Sequence, residues 1–211
     1  ATQTNAPWGL DRTDQRDRPL DGRYTYNRTG RGVYVYVIDS GIRTSHSQFG
    51  TRAWNVWDGT GGNGQDCNGH GTHVAGIVGA DAASDEGVTG VAPGVTFGAY
   101  KVFGTSGSSS ADVIIAAMED AHDDGMDVIN MSLGAGLAWG DYPTSQVANQ
   151  LVAEGTVVVA SAGNAGADGL FSLGAPGNAS DVIGVASADN LFMNAEVMEV
   201  EGLDVDGSDD L

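Results

Sequence analysis

The chain has 211 residues, of which 41% are hydrophobic, and its formal net charge at pH 7 is −19. This length and composition suffice for one sizeable core, and no apolar run approaches the roughly 18 residues that a membrane-spanning helix needs. All nine Lys and Arg lie in residues 1–101, whereas residues 102–211 hold eighteen Asp and Glu. Such a surface repels the phosphates of nucleic acids and anionic membranes, so neither is expected as a partner.

Apolar runs alternate with helical patterns along the chain. Strands are predicted at 33–38, 96–102, 127–131, 156–161 and 182–187. Helices are predicted at 70–80, 110–124 and about 144–154. Ser110 is a candidate cap, and Gly125 and Gly155 stand just past helix ends. The alternation predicts parallel β-α-β units, and continuous apolar strands favour burial on both sides. We therefore expect an α/β fold, namely a doubly wound, mostly parallel sheet with helices on both faces.

Two polar residues stand where predicted elements end or begin. Asp39 ends the first long apolar run, and His70 lies in a glycine-rich turn at the start of the first helix. In α/β sheets, reacting groups collect beyond the carboxyl ends of strands. A carboxylate there can accept the Nδ1 proton of a histidine and leave Nε2 free as a base. The pair predicts general-base chemistry, which requires a nucleophile.

Five segments, in chain order, carry a resemblance to a known family. They are VYVIDSGI, NGHGTHVAG, GVAPGVTFGAYKVFG, INMSLGAG and VVVASAGNAG. In these segments the chain resembles the subtilisin-like serine peptidases, or subtilases, and its opening, ATQTNAPWGLDRTDQRD, is similar to the proteinase K and aqualysin branch. The resemblance extends from Ala1 to about Asn190. It implies a secreted serine endopeptidase that acts on extended polypeptides and folds with the help of a propeptide.

The resemblance also implies roles for particular residues. Asp39 and His70 match the catalytic acid and base, and Asn164 matches the side chain that donates to the developing oxyanion. Two segments match those between which the family holds a peptide as an added strand. They comprise Tyr100, Lys101, Val102, Phe103 and Gly107 on one side and Ser132, Leu133 and Gly134 on the other. The alternative interpretation is an ordinary turn at Asn164 and ordinary strand ends in the two segments.

The family's serine-bearing block, a Gly-Thr-Ser-Met-Ala helix start, has no counterpart in this sequence. Gly104-Thr105-Ser106 repeats its first letters, but Gly-Ser-Ser-Ser follows and the segment falls at the expected substrate edge. Two functional hypotheses follow. One is a serine endopeptidase whose serine lies outside this chain, with a polypeptide substrate and either a C-terminal remainder or a propeptide as partner. The other is a non-catalytic subtilase-like module that binds peptides or another protein.

The C-terminal residues depart from the family pattern. Residues 1–190 are expected to form a partial subtilase-like catalytic domain. Residues 194–211 carry seven acidic residues and no basic one. We therefore interpret 191–211 either as an acidic tail or as the start of an inserted domain.

Structural calcium is a further implication of the resemblance. Asp11, Asp14, Gln15 and Asp21 supply hard oxygen ligands at spacings that a loop can wrap around Ca²⁺. Intervening arginines allow plain surface pairing instead. Cys67 matches a cysteine whose disulfide partner is absent from this sequence, so a free thiol is expected. A Cys67–His70 nucleophile is the alternative.

Overall fold

The computed structural model describes residues 1–82 and 88–188. The strands of this part are β1 (Thr2–Thr4), β2 (Arg23–Thr25), β3 (Tyr34–Asp39), β4 (Ala53–Asp58), β5 (Thr96–Lys101), β6 (Val128–Met131), β7 (Val157–Ser161) and β8 (Ile183–Val185). Its α-helices are α1 (Trp8–Asp14), α2 (His70–Gly79), α3 (Ala111–Asp123) and α4 (Pro143–Ala153). None of these helices is long and apolar enough to cross a membrane. The predicted tail or inserted segment at 191–211 lies outside the described residues.

Six strands form one parallel sheet in the order β4-β5-β3-β6-β7-β8, and β1 pairs with β2 in a separate antiparallel ribbon. The chain first fills one side of β3 with β4 and β5 and then crosses to the other side with β6, β7 and β8. This reversal of strand order at β3 opens a crevice beyond the carboxyl ends of the central strands. Asp39, the last residue of β3, lies at that crevice.

Side chains of β3 alternate between two apolar cores. Tyr36 and Ile38 pack in a core with residues of α3 and α4, whereas Val35 and Val37 pack in a core with residues of α2. Successive side chains of a strand point to opposite faces, so an unbroken apolar run is what a doubly covered sheet requires. The predicted α/β architecture, with helices on both faces, is confirmed.

The five predicted strands and three predicted helices are present with small shifts at their ends, and β8 is shorter than the predicted 182–187. Gly125 and Gly155 adopt positive φ angles of 78° and 103° just past α3 and α4. Ser110 occupies the N-cap of α3 but makes no side-chain cap hydrogen bond. The prediction missed β4, an edge strand that leaves Trp54 and Val56 exposed, together with α1, β1 and β2, which are only three to seven residues long.

Candidate active site

Asp39 is fully buried at the end of β3. The Ser40 amide donates to its Oδ1 at 2.6 Å, which fixes the carboxylate against its own backbone. Its carbonyl oxygen accepts from the amides of Val102 and Phe103 at 2.8 and 3.3 Å. The carboxylate is therefore held at the junction of two neighbouring strand ends.

His70 is the first residue of α2, and its imidazole faces Asp39. Nδ1 lies 2.7 Å from Asp39 Oδ1 and 2.9 Å from Oδ2. Because an ionised carboxylate can only accept, Nδ1 carries the proton and Nε2 of the neutral ring is left with its lone pair. The side chain is 51% exposed, and Nε2 has no hydrogen-bond partner within residues 1–82 and 88–188. The structure thus brings together the two residues that the sequence predicted as acid and base.

Three side chains satisfy the first amides of α2, which have no acceptor inside the helix. The His70 amide donates to Asn68 Oδ1 at 3.3 Å, the Gly71 amide to Ser40 Oγ at 3.0 Å, and the Thr72 amide to Asp66 Oδ2 at 3.0 Å. The sequence analysis did not single out Ser40, Asp66 or Asn68. Asp66 and Asn68 could have been found from the sequence, because an Asp or Asn just before a predicted helix start is a common capping signal.

Asp66 is the most heavily bonded of these side chains. Its Oδ1 accepts from Ser40 Oγ and from the amides of Asn68 and Gly69, each at 2.9 Å. Burial acts to raise the pKa of Asp66, but the hydrogen bonds from the Thr72 hydroxyl and from the backbone amides outweigh it and lower the pKa below its ordinary value. The site therefore keeps a carboxylate, and not a neutral acid, beneath the start of α2.

The only lysine of the chain, Lys101, is buried near the Asp39–His70 pair. Its Nζ donates to the Ser40 carbonyl oxygen at 2.6 Å and contacts Cys67 Sγ at 3.4 Å. Cys67 is a free, exposed cysteine, as expected. Its thiol contacts Lys101, and no bond to His70 occurs in the part of the chain that the structure describes. Lys101 therefore ties the turn after β3 to the loop before α2.

A cleft of about 530 Å³ opens beside His70. Phe103 and Gly107 line one wall, and Ser132, Leu133 and Gly134 line another, so five of the eight predicted substrate-binding residues meet there. Tyr100, Lys101 and Val102 do not. Tyr100 and Lys101 lie in β5, which pairs with β3 on one side and β4 on the other, and all three side chains are buried. Because β5 pairs on both sides, Tyr100 and Lys101 offer no free strand edge to a peptide.

Two other residues that the sequence analysis discussed, Asn164 and Ser106, do not line the cleft. Asn164 is exposed in the turn after β7, just after Gly163, which has a φ of 93°. Its role at the oxyanion stays a prediction. Ser106 is exposed in the turn after Phe103, with its hydroxyl 3.3 Å from that of Ser108. The interpretation of Gly104-Thr105-Ser106 as a chance match stays a prediction.

The predicted calcium ligands lie in and after α1. Asp11 Oδ2 accepts from the Gly22 amide, Asp14 from the Thr25 amide, and Asp21 from the Arg23 amide. The Gln15 amide group donates to two carbonyl oxygens. No cluster of three metal-binding carboxylate, imidazole or thiol groups occurs in the described ranges. Asp11 Oδ1, however, is buried without a hydrogen-bond partner there, which is the chemistry that a hard cation would satisfy.

Comparison with known proteins agrees with this geometry. The model of the subtilase family matches residues 30–207. The chain belongs to the subtilase family. It is 45% identical over 192 residues to an extracellular serine proteinase of Thermus sp. (strain Rt41A), and the match covers 89% of this chain and 45% of that protein. Subtilisin DY of Bacillus licheniformis is 40% identical over 162 residues, which cover 76% of this chain and 58% of the relative.

A solved structure extends the similarity to three dimensions. The crystal structure of a cold adapted subtilisin-like serine proteinase superposes with a TM-score of 0.74 at 33% identity, and it covers 86% of this chain and 64% of that one. The chain thus spans about half to two thirds of the length of these relatives. In this subtilase, Asp39 and His70 occupy the segments that carry the family resemblance.

Proposed function

We propose that this chain supplies the acid and the base of a secreted serine endopeptidase that hydrolyses extended polypeptides through an Asp-His-Ser triad. The serine lies outside the chain. The single observation that carries the proposal is the Asp39–His70 pair, in which Nδ1 is bound to a buried carboxylate and Nε2 faces open space beside a cleft. The names of the relatives, which include an extracellular serine proteinase, support the reaction and the location.

The proposed mechanism assigns one task to each group. His70 Nε2 takes the proton of the serine hydroxyl as it attacks the substrate carbonyl, and later delivers it to the leaving amine. Asp39 holds the tautomer and stabilises the imidazolium. Asn164 is proposed to donate to the oxyanion. The substrate backbone lies between the segments at 103–107 and 132–134, and such main-chain pairing gives broad specificity.

Calcium is proposed as a structural ligand of the same protein. The proposed ligands are Asp11, Asp14, Gln15 and Asp21. The unpartnered Asp11 Oδ1 supports Asp11, whereas the three carboxylates do not gather into one cluster within the described residues, so binding would have to draw the other ligands together. When bound, the ion would stabilise the folded state and take no part in the chemistry.

The test of the triad uses the chain combined with a serine-bearing segment of its parent protein. His70→Ala should lower kcat by about 10⁶ and Asp39→Asn by about 10⁴, on the scale of losses known for triads of this type. His73→Ala is the matched control, because His73 is exposed on the same helix and makes no contact with Asp39. Its activity should equal that of the wild type, and circular dichroism should show all variants folded.

Two results would contradict the proposal. Undiminished hydrolysis in either triad variant would remove Asp39 and His70 from the mechanism. Peptide binding without hydrolysis, in a folded combination of chain and serine segment, would support instead the non-catalytic binding module.

A further inference from the structure

Two loops beside the cleft carry large apolar side chains that are open to solvent. Trp139 is 82% exposed and Phe171 is 95% exposed. Leu137, Leu170 and Leu173, on the same two loops, are also exposed. Single exposed apolar residues are common on protein surfaces, whereas an extended apolar surface usually marks an interaction site. These five residues are called the apolar patch below.

The backbone ties the two loops to each other and to the cleft. Ala135 and Ala175 exchange hydrogen bonds of 2.8 and 3.0 Å in an antiparallel bridge. In such a bridge the chain after the first residue runs beside the chain before the second, which brings the segment of Leu137 towards that of Leu173. Ala135 and Ala175 also line the cleft that opens beside His70. The loops that carry the apolar patch therefore form part of the cleft wall.

Two residues of the apolar patch hold a backbone conformation that their side chains disfavour. Leu137 and Phe171 have φ angles of 56° and 64°, in the left-handed region that bulky residues rarely adopt. Neither side chain gains compensating burial within residues 1–82 and 88–188, since both are exposed. Asn tolerates this conformation better than Leu or Phe does. Large apolar side chains kept at such positions indicate a role in binding and not in packing.

Charges around the apolar patch restrict the kind of partner. Asp141 and Asp168 are exposed on the same two loops, and the sequence has no Lys or Arg after Lys101. These carboxylates disfavour anionic lipids. A two-fold contact with a second copy would bring the same two carboxylates of each chain together, because it joins the same surface of both. A polypeptide with apolar residues between Lys or Arg complements both the apolar and the acidic features.

We propose that the apolar patch is a second substrate-binding surface, which holds an apolar stretch of the polypeptide substrate, flanked by Lys or Arg, outside the residues bound in the cleft. The inference rests on the proposed peptidase function and names its substrate class, namely polypeptides long enough to reach beyond the cleft. Burial of Trp139 and Phe171 supplies binding energy that a short peptide cannot use, and aromatic residues dominate such contacts.

The test compares three peptides, with the chain combined with a serine-bearing segment of its parent protein. One peptide spans the cleft alone. The others extend it, on either side of the scissile bond in separate versions, by Lys-Leu-Phe-Leu-Lys or by Lys-Ser-Thr-Ser-Lys. With the wild type, the apolar extension should raise kcat/KM about tenfold above the polar extension, on the scale of one aromatic anchor at an interface. Trp139→Ser and Phe171→Asn should each remove most of this gain and leave hydrolysis of the short peptide unchanged.

Two controls separate loss of binding from loss of structure. Trp54→Ser removes another exposed tryptophan, which lies on β4 and does not line the cleft, and it should keep the full gain. Because Asn suits the φ angle at position 171, Phe171→Asn should melt no lower than the wild type.

The outcomes distinguish this inference from the proposed function. If the short peptide is hydrolysed but the two extensions perform equally, the inference fails while the peptidase function stands. If no peptide is hydrolysed, the proposed function fails, and calorimetric binding of the extended peptides to the 211-residue chain decides the inference. A preference for the apolar extension that Trp139→Ser abolishes supports it, whereas equal affinities or no binding overturn it. Sedimentation that shows dimers of the wild type but monomers of Trp139→Ser would assign the apolar patch to a second copy and also overturn it.

Discussion

At the scale of single residues, the geometry of the Asp39–His70 pair depends on neighbouring side chains to which no chemical role is assigned. Ser40 accepts from the second amide of α2 and donates to Asp66, while Asp66 accepts from the third amide. His70 is therefore oriented by a network that starts at the residue next to Asp39. The sequence alone identified Asp39 and His70, because each stands at the end of a strongly patterned element. It could not identify Asp66, because its role depends on where the loop folds.

The network predicts a pH-dependent effect of Asp66→Ala. At pH 7 the variant should lose about 1 kcal/mol of unfolding free energy, the typical cost of removing a carboxylate cap. The folded-state pKa of Asp66 is lowered, so its contribution is present above the unfolded-state pKa, about 3.9, and is lost as the pH falls through the folded value. Urea unfolding of both proteins at pH 7 and in acid measures the difference, which should shrink in acid.

The control for this prediction is Asp17→Ala, which removes an exposed carboxylate from the same half of the chain. It should change the unfolding free energy by less than about 0.5 kcal/mol. A loss for Asp66→Ala that is constant across the pH range would contradict the assigned role of the carboxylate.

At the scale of elements, sequence patterns located the sheet and its helices because burial on two faces leaves a clear signal. The sequence of β3 is part of an unbroken apolar run, and glycines follow shortly after the ends of α3 and α4. The signal fails for β4, an edge strand whose sequence AWNVWD mixes polar and apolar residues and leaves Trp54 and Val56 exposed. Likewise, the sequence predicted Tyr100 and Lys101 as substrate-binding residues without showing that their strand, β5, pairs on both sides. A strand's pairing on both sides is a property of the sheet and not of its own residues.

The approach of α2 to β3 gives a prediction with an internal control. A Cβ at Gly71 would lie 2.2 Å from the Gly41 carbonyl oxygen, whereas a Cβ at Gly76, further along the same helix, meets nothing within 4 Å. Gly71→Ala should therefore destabilise the protein by about 1–3 kcal/mol through overpacking. Gly76→Ala should stabilise it by roughly 0.5–1 kcal/mol through helix propensity.

Thermal unfolding of the two glycine variants checks the sign of each effect. Because Gly71 also lies beside Asp39, its variant should lower kcat as His70 moves away from the carboxylate. Equal melting temperatures for the two variants would mean that α2 does not approach β3 as closely as described.

At the scale of the whole molecule, charge is the dominant feature. Residues after Lys101 carry eighteen acidic residues and neither Lys nor Arg, so self-repulsion should loosen this half at low ionic strength. The melting temperature should therefore rise with added salt, which screens the repulsion.

Calcium should add a separate, saturable increase in stability if the proposed site forms. A ligand that binds only the folded state raises stability by mass action, by about 2.7 kcal/mol at a concentration of 100 times its Kd. The measurement is a calcium titration of thermal unfolding at fixed high ionic strength, in the wild type and in Asp14→Ala. A saturable response confined to the wild type supports the site, whereas identical responses would show that Asp14 is not a ligand.

Because of the strand order, the uneven distribution of charge along the sequence becomes an uneven distribution of charge across the sheet. Within the described residues, those up to Lys101 supply β3, β4 and β5, whereas residues 102–188, which hold ten acidic residues and no Lys or Arg, supply β6, β7 and β8 with α3 and α4, so negative charge is in excess on one side of β3. This separation gives the protein a large electric dipole moment directed across the sheet. Molecules with such a moment orient as they approach a charged surface. On a positively charged support, the chain would adsorb by its β8 side and leave the β4 edge facing the solvent.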